Sequence, residues 1–134
     1  MITTANVSLR AEVANDATFT QALFISTRDD SAGWRLLLPS ERTKLLKEQS
    51  SLQQAHYNKY FPHAWRTIIE VNGKPAGRFY VNQTPNEMRI VDIAILPEYR
   101  QHGIGSKLIK QVITESVRLN LPLRLRAEIG SPVI

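Results

Sequence analysis

Residues 90–105 read Ile90-Val91-Asp92-Ile93-Ala94-Ile95-Leu96-Pro97-Glu98-Tyr99-Arg100-Gln101-His102-Gly103-Ile104-Gly105. The first half is a strand, with β-branched and apolar residues around one carboxylate. Pro97 closes it, and Gly103 and Gly105 mark a turn. A helical pattern follows over residues 106–119. Ile104, Leu108 and Val112 form one apolar row, and Ile109, Ile113 and Val117 a second beside it, at i, i+4 spacing. Lys107, Lys110, Gln111 and Arg118 fall outside this stripe. Glycines let a ligand approach the main chain, and the start of a helix offers free N–H groups and a positive dipole end. The stretch therefore reads as a phosphate or pyrophosphate cradle. The plain alternative is a tight strand-to-helix connection that holds nothing.

Two well-known cradles do not fit. The dinucleotide fingerprint G-x-G-x-x-G, started at Gly103, meets Leu108 at its third glycine. Gly105-Ser106-Lys107 has no upstream glycine at P-loop spacing. What remains is R-x-x-G-x-G, as Arg100, Gly103 and Gly105, after an apolar strand that ends in Leu96-Pro97-Glu98-Tyr99. This is similar to the acetyl-CoA signature of the GNAT superfamily of N-acetyltransferases. The motif alone is short. Its specificity comes from the strand before it, the Pro-Glu-Tyr and the helical stripe after it.

The rest of the chain supplies the other elements. Residues 7–13 form a strand candidate, and Asn15 or Asp16 can cap a helix from Ala17. Phe19, Ala22, Leu23 and Ser26 would share a face of that helix. Ser40 can cap a second helix over residues 41–60, with Leu45, Leu46, Gln49, Leu52, Gln53 and His56 inward and Pro62 as its stop. Residues 65–71 form a strand. Asn72-Gly73 is a strong two-residue hairpin signal, and residues 76–81 return. After the strand at 87–96 and the third helix, residues 121–129 make a last strand. There Leu123, Leu125 and Ala127 alternate with Arg124, Arg126 and Glu128. The order is β-α-α-β-β-β-α-β, which resembles the GNAT order through its fifth strand. The resemblance implies an α+β fold with a mixed, largely antiparallel sheet. It covers nearly the whole chain, as one GNAT-like domain over residues 1–134.

In that family the fourth and fifth strands splay apart and the pantetheine arm of acetyl-CoA lies between them, pairing with main-chain groups of the fourth. Carried over, Ile93, Ala94 and Ile95 would meet the arm. Gln101, His102, Gly103, Ile104, Gly105 and Ser106 would hold the pyrophosphate, with Arg100 at its edge. The family usually adds a final α-β-β, often opened by an Asn-Pro-like element, and its extra helix commonly carries a tyrosine that protonates the departing thiolate. Here residues 130–134 begin something similar and stop, so the expectation is a domain truncated at its C-terminus. None of Tyr57, Tyr60, Tyr80 and Tyr99 matches the missing tyrosine. The strand at 121–129 would then be an edge, which predicts a homo-oligomer through it.

Composition narrows the partners. The 134 residues carry 43% hydrophobic and 22% charged side chains, as ordinary soluble domains do. No apolar run is long enough for a membrane span, and the first residues lack the pattern of a signal peptide. With no cysteine, disulfides, thiolate metal sites and a cysteine nucleophile are excluded, and a cytoplasmic location fits. The net charge is +5, and Arg100, Lys107, Lys110, Arg118, Arg124 and Arg126 face only Glu115 over residues 100–126. A basic surface favours anions such as coenzyme A. A nucleic-acid-binding module is a third reading, but the strands show no interleaved aromatic and basic residues, and no recognition signature is present.

Amine acetylation needs alignment, a base for the ammonium and stabilisation of the oxyanion, with no covalent nucleophile. Asp92, on the strand before the cradle, is the candidate base, acting through water. Its structural alternative is a carboxylate that bridges neighbouring strands. Glu70 and Glu87 are alternative bases. His56 and His63 lack metal-like spacing or partners, so no metal is expected. Arg28, Asp29, Asp30 and Trp34 fall where the family shapes its acceptor pocket. The leading reading is an acetyl-CoA-dependent N-acetyltransferase acting on a primary amine. The rival is a non-catalytic or incomplete acyl-CoA-binding domain.

Overall fold

A computed structural model describes residues 6–28 and 36–125. Among them run β1 (Val7–Ala11), α1 (Ala17–Arg28), α2 (Pro39–Tyr60), β2 (Trp65–Val71), β3 (Lys74–Gln83), β4 (Met88–Ile95), α3 (Ile104–Leu119) and β5 (Leu123–Leu125). One-turn 3-10 helices lie at Ala14–Asp16 and Pro97–Tyr99. The element order is the expected one. Two compact units are formed, Val13–Pro62 and the chain on either side of it.

In the sheet unit the strands lie in the order β1-β2-β3-β4-β5. The first three pairings are antiparallel and β4 to β5 is parallel. Asn72 (φ 53°) and Gly73 (φ 78°) are both left-handed, as a tight turn between twisted strands requires. The β3–β4 ladder is irregular. Val81 faces Ile90, yet Tyr80 faces Asp92, so Val91 is an extra residue on β4. Such a bulge bends its strand and reverses which way the later side chains face.

One face of the sheet packs on α3. Ile69, Phe79, Val81, Ile90 and Ile95 meet Ile104, Leu108 and Val112 in a single apolar cluster. The first row of the expected α3 stripe is thus buried. The second row is not. Ile109 is half-buried, Ile113 is exposed, and Val117 is 74% exposed. The buried arc of α3 runs instead through Ile104, Gly105, Leu108, Val112 and Ser116. Ser116 tolerates this because its hydroxyl donates to the Ile113 carbonyl at 2.8 Å. Asn120 ends the helix in the left-handed region (φ 55°), and Leu121 N–H closes on the Ser116 carbonyl at 2.9 Å. Of the strand expected at 121–129, residues 123–125 pair with β4, while Arg126, Ala127 and Glu128 lie outside the described residues. The expected oligomeric edge lies largely there too.

In the helical unit α1 and α2 pack on each other. The expected faces need correction. α1 buries Thr20, Leu23 and Phe24, whereas Ala22 is exposed. α2 buries Leu46 and Tyr57, while Leu45 and Leu52 are exposed. α2 also starts earlier than a Ser40 cap predicts: Pro39 occupies its first turn and Leu38 its N-cap. Proline suits that position, because its φ is preset and its missing N–H would have been unpaired anyway. Asp16 is buried in the 3-10 turn before α1, and its carboxylate accepts the Val13 N–H at 2.8 Å.

Candidate active site

β4 delivers the chain to the cradle. Leu96 N–H donates to the Ala76 carbonyl at 2.8 Å, which anchors the end of β4 to β3. The 3-10 turn at Pro97–Tyr99 follows, and Arg100 folds back so that its Nε donates to the Ile95 carbonyl at 2.8 Å. That bond ties the first residue of the motif to the strand it leaves. Gln101 then takes φ 63° and Gly103 φ 77°. Both are left-handed, a conformation glycine adopts freely and other residues adopt at a cost. Gly103 is the N-cap of α3 and supplies no side-chain cap. Space is open where its Cβ would stand. The first N–H groups of α3, on Ile104, Gly105 and Ser106, have no carbonyl within the helix to accept them. Gln101, His102 and Gly103 are exposed, whereas Ile104 and Gly105 are buried. The cradle is therefore a bare helix start on the surface, floored by the apolar cluster below, and its shape suits a diphosphate.

Upstream, Ile93 packs into the apolar cluster and Ile95 belongs to it, while Ala94 looks to the other face. What these residues can offer a ligand is main chain. β5 pairs with Met88, Arg89 and Ile90, and among the described residues no strand pairs with the far edge of residues 91–95.

Asp92 has a partner that sequence reasoning missed. Arg78, on β3, is 3% exposed, and its Nη2 lies 2.7 Å from the Asp92 Oδ2. The Tyr80 ring lies beside this pair, with the Arg78 guanidinium 5.5 Å and the Arg66 guanidinium 5.6 Å from its centroid. The Tyr80 hydroxyl donates to Glu12. Arg66 faces Tyr80 and Tyr80 faces Asp92 across three neighbouring strands. This polar row occupies the sheet face opposite α3. The alternative reading of Asp92, a bridge between strands, describes its geometry. A signal was present in the sequence, since Arg78 sits among apolar residues on a strand and needs a buried anion. Finding which anion required the ladder.

The other candidates lie apart or are engaged. Glu70 pairs with Arg10 across β1 and β2 at 2.9 Å. Glu87 holds Arg89 at 3.2 Å and Arg124 at 3.3 Å where β4 and β5 begin to pair. His56 sits in the helical unit among the rings of Tyr57, Tyr60 and Phe61, and His63 is exposed. The Arg28 guanidinium lies over Phe24, 4.9 Å from its centroid. Asp29, Asp30 and Trp34 lie outside the described residues. Among the described residues no cluster of three or more metal-ligating side chains occurs, and no helix is long and apolar enough to cross a membrane.

The model of the acetyltransferase (GNAT) family matches residues 31–132. The chain belongs to the GNAT acetyltransferase family. Its type of enzyme is thereby an acyltransferase. Solved GNAT-like structures agree on the fold. The PaiA N-acetyltransferase of Thermoplasma acidophilum, in complex with coenzyme A, is 14% identical, with a TM-score of 0.64 over 95% of this chain and 82% of that one. The ribosomal-protein-alanine N-acetyltransferase of Brucella melitensis biovar Abortus 2308 is 16% identical, with a TM-score of 0.56 over 92% and 82%. A GNAT acetyltransferase of Elizabethkingia anophelis with acetyl-CoA bound is 14% identical, with a TM-score of 0.52 over 87% and 61%. A search of the curated proteins finds no match. The bare start of α3 thus lies at the β4–α3 junction of a GNAT fold.

Proposed function

We propose that this GNAT chain transfers an acetyl group from acetyl-CoA to a primary amine by direct attack. The observation that carries the reading is the bare, left-handed glycine start of α3 at the end of a strand with one side open among the described residues. In it the diphosphate sits against the N–H groups around Gln101, His102, Gly103, Ile104, Gly105 and Ser106. Arg100 borders them, and the pantetheine arm adds to β4 along Ile93, Ala94 and Ile95. The relatives solved with coenzyme A and acetyl-CoA support the choice of thioester. The amine nitrogen attacks the thioester carbonyl carbon, the C–S bond breaks, and the thiolate leaves and takes a proton. Asp92, through a water, is the candidate that removes the proton from the amine. We place the reaction in the cytoplasm, with neither metal nor nucleic acid as partner.

One observation favours a second reading, a domain that binds acyl-CoA with little turnover. The carboxylate proposed as base is already held by the buried Arg78. Two measurements separate the readings. Calorimetric titration with acetyl-CoA tests the cradle. Thiol release over a panel of primary amines tests transfer. Binding with release supports the enzyme, and binding without release on any amine supports the second reading. Gly103→Glu puts a bulky anion where phosphate sits and is expected to abolish binding. Wild-type affinity in that variant would show the cradle to be misassigned.

A further inference from the structure

We infer that Arg78 is a positioning residue for the thioester arm, acting through Asp92. The inference rests on the reading that acetyl-CoA lies along β4. It begins with the bulge. Val91 is the extra residue of β4, and regular pairing with β3 resumes at Asp92 opposite Tyr80, then Ile93 opposite Phe79 and Ala94 opposite Arg78. A strand leaving a bulge is bent and locally more twisted, so its direction is set by whatever grips it next. On β4 the ion pair adds a side-chain grip to the resumed main-chain pairing with β3. Arg78 stands opposite Ala94 and reaches diagonally to Asp92, at 2.7 Å, so one guanidinium holds the first turn of strand beyond the bulge. The Tyr80 ring lies alongside it, 5.5 Å from the guanidinium, and the Tyr80 hydroxyl donates to Glu12. Gly77, next to Arg78, completes the clamp. A Cβ there would stand 2.2 Å from the Ala94 carbonyl oxygen and 3.1 Å from the Ile95 Cα, so β3 and β4 approach unusually closely here.

The held segment is the one whose main chain would meet the arm. No described strand supports it on the far side. A main-chain site of this kind binds well only if its N–H and C=O groups already point the right way. A buried ion pair is a poor source of net stability, and here it ties β3 to β4 at one geometry. Arg78 and Asp92 lie on the sheet face opposite α3, so they orient β4 without occupying the cradle at the start of that helix.

The test uses a ligand with the arm and one without it. Acetyl-CoA spans both cradle and strand. Adenosine 3′-phosphate 5′-diphosphate carries the nucleotide and diphosphate but no pantetheine. In the full chain, Arg78→Met is expected to weaken acetyl-CoA about tenfold to a hundredfold, as small misplacements of a binding group do, and to leave the nucleotide fragment at wild-type affinity. Asp92→Asn is expected to show the same split, and the double variant to lose no more than the worse single, since the two residues act as one unit. Where Arg78→Met does not fold, Arg78→Lys retains the charge, loses the planar fork and is expected to show the split in smaller measure. A folded Arg78 variant that binds acetyl-CoA as well as the wild type overturns the inference. So does equal weakening of both ligands, which marks a general fold defect. A wild-type chain that binds neither ligand overturns the cradle reading instead, and this one with it. Turnover adds a discriminating readout. A positioning role raises KM for acetyl-CoA in both single variants, whereas a base role for Asp92 alone lowers kcat in Asp92→Asn and spares KM in Arg78→Met.

Discussion

α3 and α2 are both long helices, and they differ in how clearly their sequences mark a buried face. α3 buries an unbroken row, Ile104, Leu108 and Val112, against the sheet, and its first turn is the candidate ligand site. α2 is longer, yet only Leu46 and Tyr57 are buried along its 22 residues, and Leu52 is 69% exposed. The lesson is that apolar spacing locates a helix more reliably than it locates the helix's buried face. On α3 the apolar residues are β-branched or leucine at every turn, so one arc wins. On α2 the apolar residues are sparse, and of the polar residues expected inward Gln49 is exposed while Gln53 and His56 are half-buried.

This contrast can be broken by substitution. Leu108→Ala is expected to cost about 2–5 kcal/mol in denaturant unfolding, the range for a buried leucine truncated in a close-packed core. Leu46→Ala, at 1% exposure on α2, belongs in the same band. A small effect at Leu108 would show that the buried row of α3 does not hold the apolar cluster together. Gly77→Ala follows at about 1–3 kcal/mol, because the added Cβ meets main chain that cannot swing aside. Gly103→Ala should cost about 1–2 kcal/mol for forcing alanine into the left-handed region, with no steric clash to add. The two glycines thus separate crowding from backbone conformation. Leu52→Ala is expected within about 0.5 kcal/mol of wild type, as for exposed substitutions generally. A larger loss would mean that α2 buries a second face against a partner.

The smallest effect concerns the exposed side of α3. Glu115 accepts hydrogen bonds from the Arg118 guanidinium, which holds its carboxyl below the usual carboxylate range and raises Arg118 in return. The sign follows from the depressed carboxyl. Its contribution to stability is present above the carboxyl's unfolded value and is lost as the pH falls through the folded one. Glu115→Gln should therefore differ slightly from wild type near neutral pH, and the two should converge in acid. The pair lies on the solvent side of α3 and is screened, so added salt should erase the difference.

Much of the fold was legible in the chain because its signals are local. Asn72-Gly73 dictates a hairpin through the two positive φ values it accepts, and β2 runs over Trp65–Val71 as read from its sequence. The strand, the Pro97 stop, Gly103 and the row on α3 together specify a bare helix start, and family membership accords with that reading. Side-chain faces were less legible, as α1 and α2 show, because they depend on what each helix meets.

The site divides along the same line. Sequence alone determined the glycine-marked start of α3, since a left-handed glycine before an amphipathic helix needs nothing distant to define it. Only the tertiary structure decided what Asp92 does. Continued from Val81 opposite Ile90 without the bulge, the ladder would set Asp92 opposite Phe79, on the apolar face. One extra residue at Val91 turns the carboxylate to the other face, where the buried Arg78 waits. The parity of a strand is a count made across two chain segments, and a reading along one of them cannot supply it.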